Sequence, residues 1–181
     1  MFTFIKKQVS NYLINHNLKS IQKKETPTLF NFSETESIGI LFNGSEKKNN
    51  IIIKETIKYF SDKKISCEAL GFVNKKKMYE HNLTSLNVDF FNLNDCNILG
   101  IPKANNLISF TKKKFDILIN IANESHFLYD YIITKSNSKL KIGPTNNKYY
   151  DLIIKSDIND VGSFIKEVIF YLELIHSNNE K

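Results

Sequence analysis

The run Phe115-Asp116-Ile117-Leu118-Ile119-Asn120-Ile121-Ala122 decides how the rest of the chain is read. Its apolar residues occupy both parities, so a strand built from it has no wet face. Strands of that kind sit inside parallel sheets, where helices cover both sides. The run closes on Asn123-Glu124-Ser125, polar residues that suit a helix start.

The same alternation of strand and helix continues in both directions. Upstream, Ser37–Phe42 (SIGILF) is an apolar run followed by the turn Asn43-Gly44-Ser45. Residues 49–63 carry Ile52, Ile53, Thr56, Ile57 and Phe60 at helical spacing. Ile65–Val73 reads as a second strand and Val88–Leu93 as a third. Between them, Lys75 to Leu86 leaves room for a helical turn around Met78 and Leu83. Pro102 suits the first turn of a helix continuing from Ala104 to Lys113. Downstream, a helix capped by Asn123 or Ser125 runs to Lys135, and Leu140–Gly143 and Tyr150–Lys155 read as strands. A last helix from about Asp157 to Ser177 buries Val161, Phe164, Ile165, Val168 and Leu172.

This pattern predicts an α/β fold: a three-layer, Rossmann-like or flavodoxin-like sandwich around a mainly parallel sheet. The loop Pro144–Tyr149 leaves a second option, a hairpin that would make the last strand an antiparallel edge. At the N-terminus, Phe2, Ile5, Val9, Tyr12, Leu13 and His16 form a stripe with lysine and asparagine opposite. The expected organisation is an amphipathic basic helix over 1–24, a linker over 25–36 and one α/β domain over 37–177. Packing of that helix on its own domain is favoured, with membrane-surface or partner binding as the alternative.

Composition narrows the function classes. The 181 residues carry 25 basic and 19 acidic side chains, a net charge of +6, and every basic residue is lysine. No arginine finger and no bidentate guanidinium clamp on phosphate exists in such a chain. Residues 1–149 hold 22 lysines against 13 acids, and residues 150–181 hold 3 against 6. The bias towards Lys, Ile and Asn matches A/T-rich codons, so basicity alone does not name a polyanion partner. Two cysteines without a CxxC pair suit a reducing compartment, and no signal-peptide order or membrane-spanning run is seen. The protein is expected to be cytoplasmic.

Candidate sites follow from the fold, because ligands of open α/β sheets bind beyond the strand carboxyl ends. Asn43, Gly44, Ser45, Asn92, Asn120, Asn123, Glu124 and Ser125 fall there. Neither GxGxxG nor GxxxxGK[ST] is present, so a plain turn is the favoured reading of Asn43–Ser45. Glu124, Ser125 and His126 adjoin without a nucleophile elbow, and ordinary first-turn roles account for them. The four histidines are scattered, and no pair has metal-ligand spacing. Lys6, Lys7, Lys75, Lys76, Lys77, Lys112, Lys113 and Lys114 form the basic clusters a polyanion would use.

FDILINIA (115–122), SNSKLKIG (136–143), YDLIIK (150–155), FIKEVIFYLELI (164–175) and the turn ILGIPK (98–103) resemble a small uncharacterised bacterial family. Its members are short single-domain proteins with a basic N-terminal helix, and the resemblance covers most of 37–176. It implies no activity and no catalytic residues. The layout of 115–143 is also similar to one half of heptosyltransferase-type glycosyltransferases. Those enzymes need a second Rossmann-like domain, for which this chain has no room, and Lys141 stands where they carry arginine.

Together these readings expect a non-catalytic binding domain with a protein partner, no cofactor and no metal; its status as an enzyme stays open. The alternatives are a small-molecule or nucleotide-phosphate binder using the strand-end loops, and attachment to nucleic acid or an anionic membrane surface.

Overall fold

The computed structural model describes residues 2–21, 32–122, 126–144, 148–155 and 160–179. Helix α1 (Phe2–Ile21) is followed by a short 3₁₀ turn at Phe32–Glu34. Then come β1 (Ser37–Asn43), α2 (Lys47–Asp62), β2 (Ser66–Val73) and β3 (Val88–Asn92). The second half holds α3 (Asn105–Lys112), β4 (Ile117–Asn120), α4 (Phe127–Lys135), β5 (Leu140–Gly143), β6 (Leu152–Ile153) and α5 (Val161–Asn179).

The six strands form one sheet in the order β3-β2-β1-β4-β5-β6, and every pairing is parallel. This is the Rossmann order rather than the flavodoxin-like one, with the direction of winding reversing between β1 and β4. The apolar parities separate as their alternation requires. Ile38, Ile40 and Phe42 of β1 face a layer made by α2 and α5, where Ile53, Phe60, Phe164 and Leu172 are buried. Leu41, Leu70, Phe72 and Leu118 face α3 and α4, whose Leu107, Phe110, Leu128 and Ile132 cover them. Each such side chain, fully buried, contributes about 1.5–3 kcal/mol.

Helix α1 adds a partial fourth layer outside α4. Ile14 packs against the α3/α4 core, and Asn17 Nδ2 donates to Thr134 Oγ1 at 3.3 Å. The favoured self-packing of this helix is what the structure shows.

Three local expectations are corrected. Residues 74–87 form no helix; they loop over the exit of β1. There Asn82 Nδ2 donates to Gly44 O at 2.7 Å and Asn50 Nδ2 to His81 O at 3.0 Å, so side-chain amides hold the loop. The α3 helix starts at Asn105, because Pro102 instead bridges Cys96 in an antiparallel pair. Of the strand expected over Tyr150–Lys155, only Leu152–Ile153 pairs, and it pairs parallel to β5, so the described strands leave no antiparallel edge. Asp151 explains the truncation: its Oδ2 takes the Lys141 N–H at 2.8 Å, occupying a donor that a longer ladder would use.

The amino ends of the sheet are tied by one carboxylate. Asp116 Oδ2 accepts from the main-chain N–H of Glu36 and of Ser37 and from Ser37 Oγ, each at 2.9 Å. Its Oδ1 pairs with Lys139 Nζ at 2.8 Å. Burial alone would push this carboxyl upward, but the Lys139 ammonium and the Glu36 and Ser37 donors hold it below the usual carboxylate range.

Candidate functional site

Strands β1, β3 and β4 each end in asparagine, and the three residues do the same local work. Asn43 Oδ1 accepts from Ser45 N at 2.9 Å, Asn92 Oδ1 from Asn94 N at 2.8 Å, and Asn120 Oδ1 from Ala122 N at 3.1 Å. These are Asx turns, in which a short amide satisfies the backbone two residues on as the chain leaves the sheet. Asp95 completes a capping box by taking the Asn92 N–H at 2.7 Å.

The polar groups that would cradle a phosphate after β1 are therefore engaged. Gly44 N donates to Phe72 O at 2.8 Å, Ser45 N to the Asn43 side chain, and Asn49 Nδ2 to Asn43 O at 2.9 Å. Beneath the 74–87 loop, Asn49 Oδ1, Asn50 Oδ1 and His81 Nε2 are buried without a hydrogen-bond partner among the described residues. Two of these three are obligate acceptors, which do not suit an anion.

Where the winding reverses, aromatic rings fill the space between β1 and β4. Tyr129 is 1 % exposed and its hydroxyl donates to Phe42 O at 3.3 Å. The Tyr150 hydroxyl accepts from Asn120 Nδ2 at 2.7 Å, and burial pushes its phenol up to about 12, the Asn120 contact acting against that rise. A Cβ on Gly143 would overlap the Tyr150 ring, so glycine is needed for this close approach.

The open space at the carboxyl ends lies one step sideways. A cavity of about 490 Å³ is bounded by α1, the segment leaving β3 and the start of α4. Leu93, Cys96, Ile98, Phe127 and Leu128 give it an apolar wall. Ser10, Lys76, Asn97 and His126 supply its polar groups. One wall is the ILGIPK turn, held because Asn97 Oδ1 accepts from Leu99 N and Ile101 N at 2.9 and 3.0 Å. Gly100 has φ 83° there, a left-handed conformation that favours glycine. Two other hollows, of about 210 and 480 Å³, lie at the β3 and β6 margins of the sheet.

His126 is the N-cap of α4, a role expected of Asn123 or Ser125. Its Nδ1 accepts the Leu128 N–H at 3.2 Å, so the ring proton resides on Nε2. The imidazole lies against Phe72, with centroids 4.6 Å apart. His126 and Cys96 border the same cavity, but a histidine in this tautomer cannot take the thiol proton without releasing the cap. Cys67, deep in the α2/α5 layer, is pushed up to about 12 by burial and then by the neighbouring Glu68 charge.

Of the ligand- and polyanion-binding candidates named from the sequence, Lys76 is the one described residue that borders the cavity; His126, and Ile98 and Gly100 of the ILGIPK turn, noted there for other reasons, border it too. Asn43, Gly44, Ser45, Asn92 and Asn120 stay at the carboxyl edge as turn-formers. Asn123, Glu124 and Ser125 lie outside the described residues, as does the Lys6 side chain. The lysine clusters are not brought together. Lys75–Lys77 follow β2 at the carboxyl edge, with Lys75 Nζ 4.9 Å from the Tyr79 ring centre. Lys112–Lys114 precede β4 at the amino edge, where Lys113 pairs with Glu68. Lys7 is exposed on α1.

Among the described residues, no helix is long and apolar enough to cross a membrane, and no group of three or more His, Cys, Asp or Glu is placed to hold a metal ion. No curated protein and no solved structure matches the chain, so the glycosyltransferase likeness finds no counterpart. A family model does match, over residues 6–175, which takes in most of α1, all six strands and the ILGIPK turn. The chain belongs to the family described as Family of unknown function (DUF6913).

Proposed function

We propose that this protein is a non-catalytic binding domain that receives a small ligand in the cavity between α1, the exit of β3 and the start of α4. The observation that carries the reading is the cavity itself. Its volume of about 490 Å³ falls in the range of small-molecule sites, and its walls combine apolar surface with a few convergent polar groups. Its position at the strand carboxyl ends is where sheets of this order hold ligands. The filled space at Tyr129 argues against a dinucleotide lying across the centre of that edge, as do the engaged N–H groups of Gly44 and Ser45. The His126 tautomer favours binding over nucleophilic catalysis. Neither Cys67 nor Cys96 is in a disulfide, which accords with a reducing, cytoplasmic setting.

The test is a thermal-shift screen of the full chain against a small-molecule library, repeated on Ser10→Trp, which fills the cavity from α1. Compounds that raise the melting temperature of the parent protein should leave the variant unmoved, and mass spectrometry should recover them unchanged. Equal shifts in both proteins, or conversion of a bound compound, would overturn the reading.

A further inference from the structure

We infer that the ligand of this cavity is an amphipathic monoanion, an apolar body ending in a single carboxylate. The inference rests on the binding reading above and names the chemistry of that site.

Charge gives the sign. Among the described residues bordering the cavity, Lys76 is the one lysine and none is Asp or Glu. A cationic ligand would lose hydration without meeting a counter-charge, whereas an anion meets an ammonium. The remaining polar groups agree. Asn97 has its Oδ1 occupied by two main-chain N–H groups, so the amide offers its NH₂ as a donor. Ser10 adds a hydroxyl. The nine-residue helix α4 opens on the cavity at Phe127 and Leu128, with the positive end of its dipole towards the space.

The number and kind of charges follow from the described lining. One lysine among the described lining residues, in a chain without arginine, gives a point charge without a bidentate fork. That arrangement neutralises one carboxylate and falls short of a di- or triphosphate, which recurrently recruits several cations or a metal. The apolar wall supplies the rest: Leu93, Cys96, Phe127 and Leu128 form it, and Ile98 stands 73 % exposed beside it. A large apolar side chain left open at a cavity mouth gains area when an apolar ligand body lies along it.

Isothermal titration of the full chain at low salt with octanoate, octylammonium and 1-octanol tests the assignment. Octanoate should bind at least tenfold tighter than octylammonium. Lys76→Met, which keeps the apolar stem, should weaken octanoate about five- to tenfold and leave octanol unchanged. Ile98→Asp, at an exposed position that folding tolerates, should weaken octanoate and improve octylammonium. If octanol and octylammonium bind as tightly as octanoate, and Lys76→Met changes nothing, the carboxylate inference falls while the cavity reading stands. If none of the three probes binds at millimolar concentration, the inference likewise falls. If all three bind and Ser10→Trp leaves them unaffected, the cavity reading itself falls.

Discussion

Replacing Asp116 should unfasten the amino ends of the three central strands. In Asp116→Ala, the main-chain N–H groups of Glu36 and Ser37 lose their acceptor in a site where Asp116 itself is 9 % exposed. Each orphaned donor costs about 1–3 kcal/mol, and the Ser37 hydroxyl recovers by rotation, so the loss from the two should be about 2–6 kcal/mol. Asp116→Asn keeps one acceptor and loses the charge, and should cost roughly half as much. Urea denaturation followed by far-UV circular dichroism gives both values, with an unchanged m-value. The pH dependence is sharper. The folded carboxyl sits below its unfolded value of about 3.9, so its contribution is complete above that pH and is lost as pH falls through the lower folded value. Protonated Asp116 resembles asparagine, so the gap between parent and Asp116→Asn should be constant from pH 7 to about 4.5 and should close below it. A gap that does not narrow as pH falls below about 3.9, or an alanine variant within about 0.5 kcal/mol of the parent, refutes the clamp.

Other outcomes follow from the same geometry. Tyr150, held near 12 against about 10 when unfolded, should lose stability between those pH values, by about 3 kcal/mol in all. Tyr150→Phe should abolish that alkaline slope and cost about 1–3 kcal/mol at neutral pH by orphaning Asn120 Nδ2. Both cysteines are buried, but Cys96, 8 % exposed, lies at the cavity wall, whereas Cys67 is 2 % exposed with its thiol pushed up to about 12; an aromatic disulfide reagent at pH 8 should therefore modify Cys96 faster, and equal rates for the two would contradict this placement. Ile14→Ala should lower stability by about 1–2 kcal/mol, as expected for a half-buried aliphatic residue; an unchanged urea midpoint would mean that α1 does not depend on α4.

The architecture was legible because burial on both faces leaves a distinct trace. FDILINIA and SIGILF lack polar alternation, and the structure makes them the neighbouring strands β4 and β1. Strand order was not legible, because parallel pairing depends on crossovers of many residues and leaves no local sign. Strand ends were partly legible: Asn43, Asn92 and Asn120 signal turns, but an Asx turn and a ligand-binding amide are the same residue at the same place. The cavity was hidden for a physical reason. Its walls come from Ser10, Lys76, Asn97 and His126, four segments distant in the chain: Leu93 N and Asn94 Nδ2 hold the Lys75–Lys76 backbone at the β3 exit, and docking of α1 on α4 adds Ser10. Gly100 in ILGIPK carried the local signal, since a glycine after an asparagine turn marks a left-handed position.

The order β3-β2-β1-β4-β5-β6 also has a consequence for how the chain is made. Strands β1 to β3 can pair soon after synthesis, but the other edge of β1 waits for β4, with Ile38 opposite Ile117. At about 5–20 residues per second, the intervening ~80 residues take about 4–16 s. Through that interval an apolar strand edge, Ile38 to Leu41, stands open beside the ribosome. It is the segment on which a nascent chain of this protein would be caught by a chaperone or would pair with its neighbour.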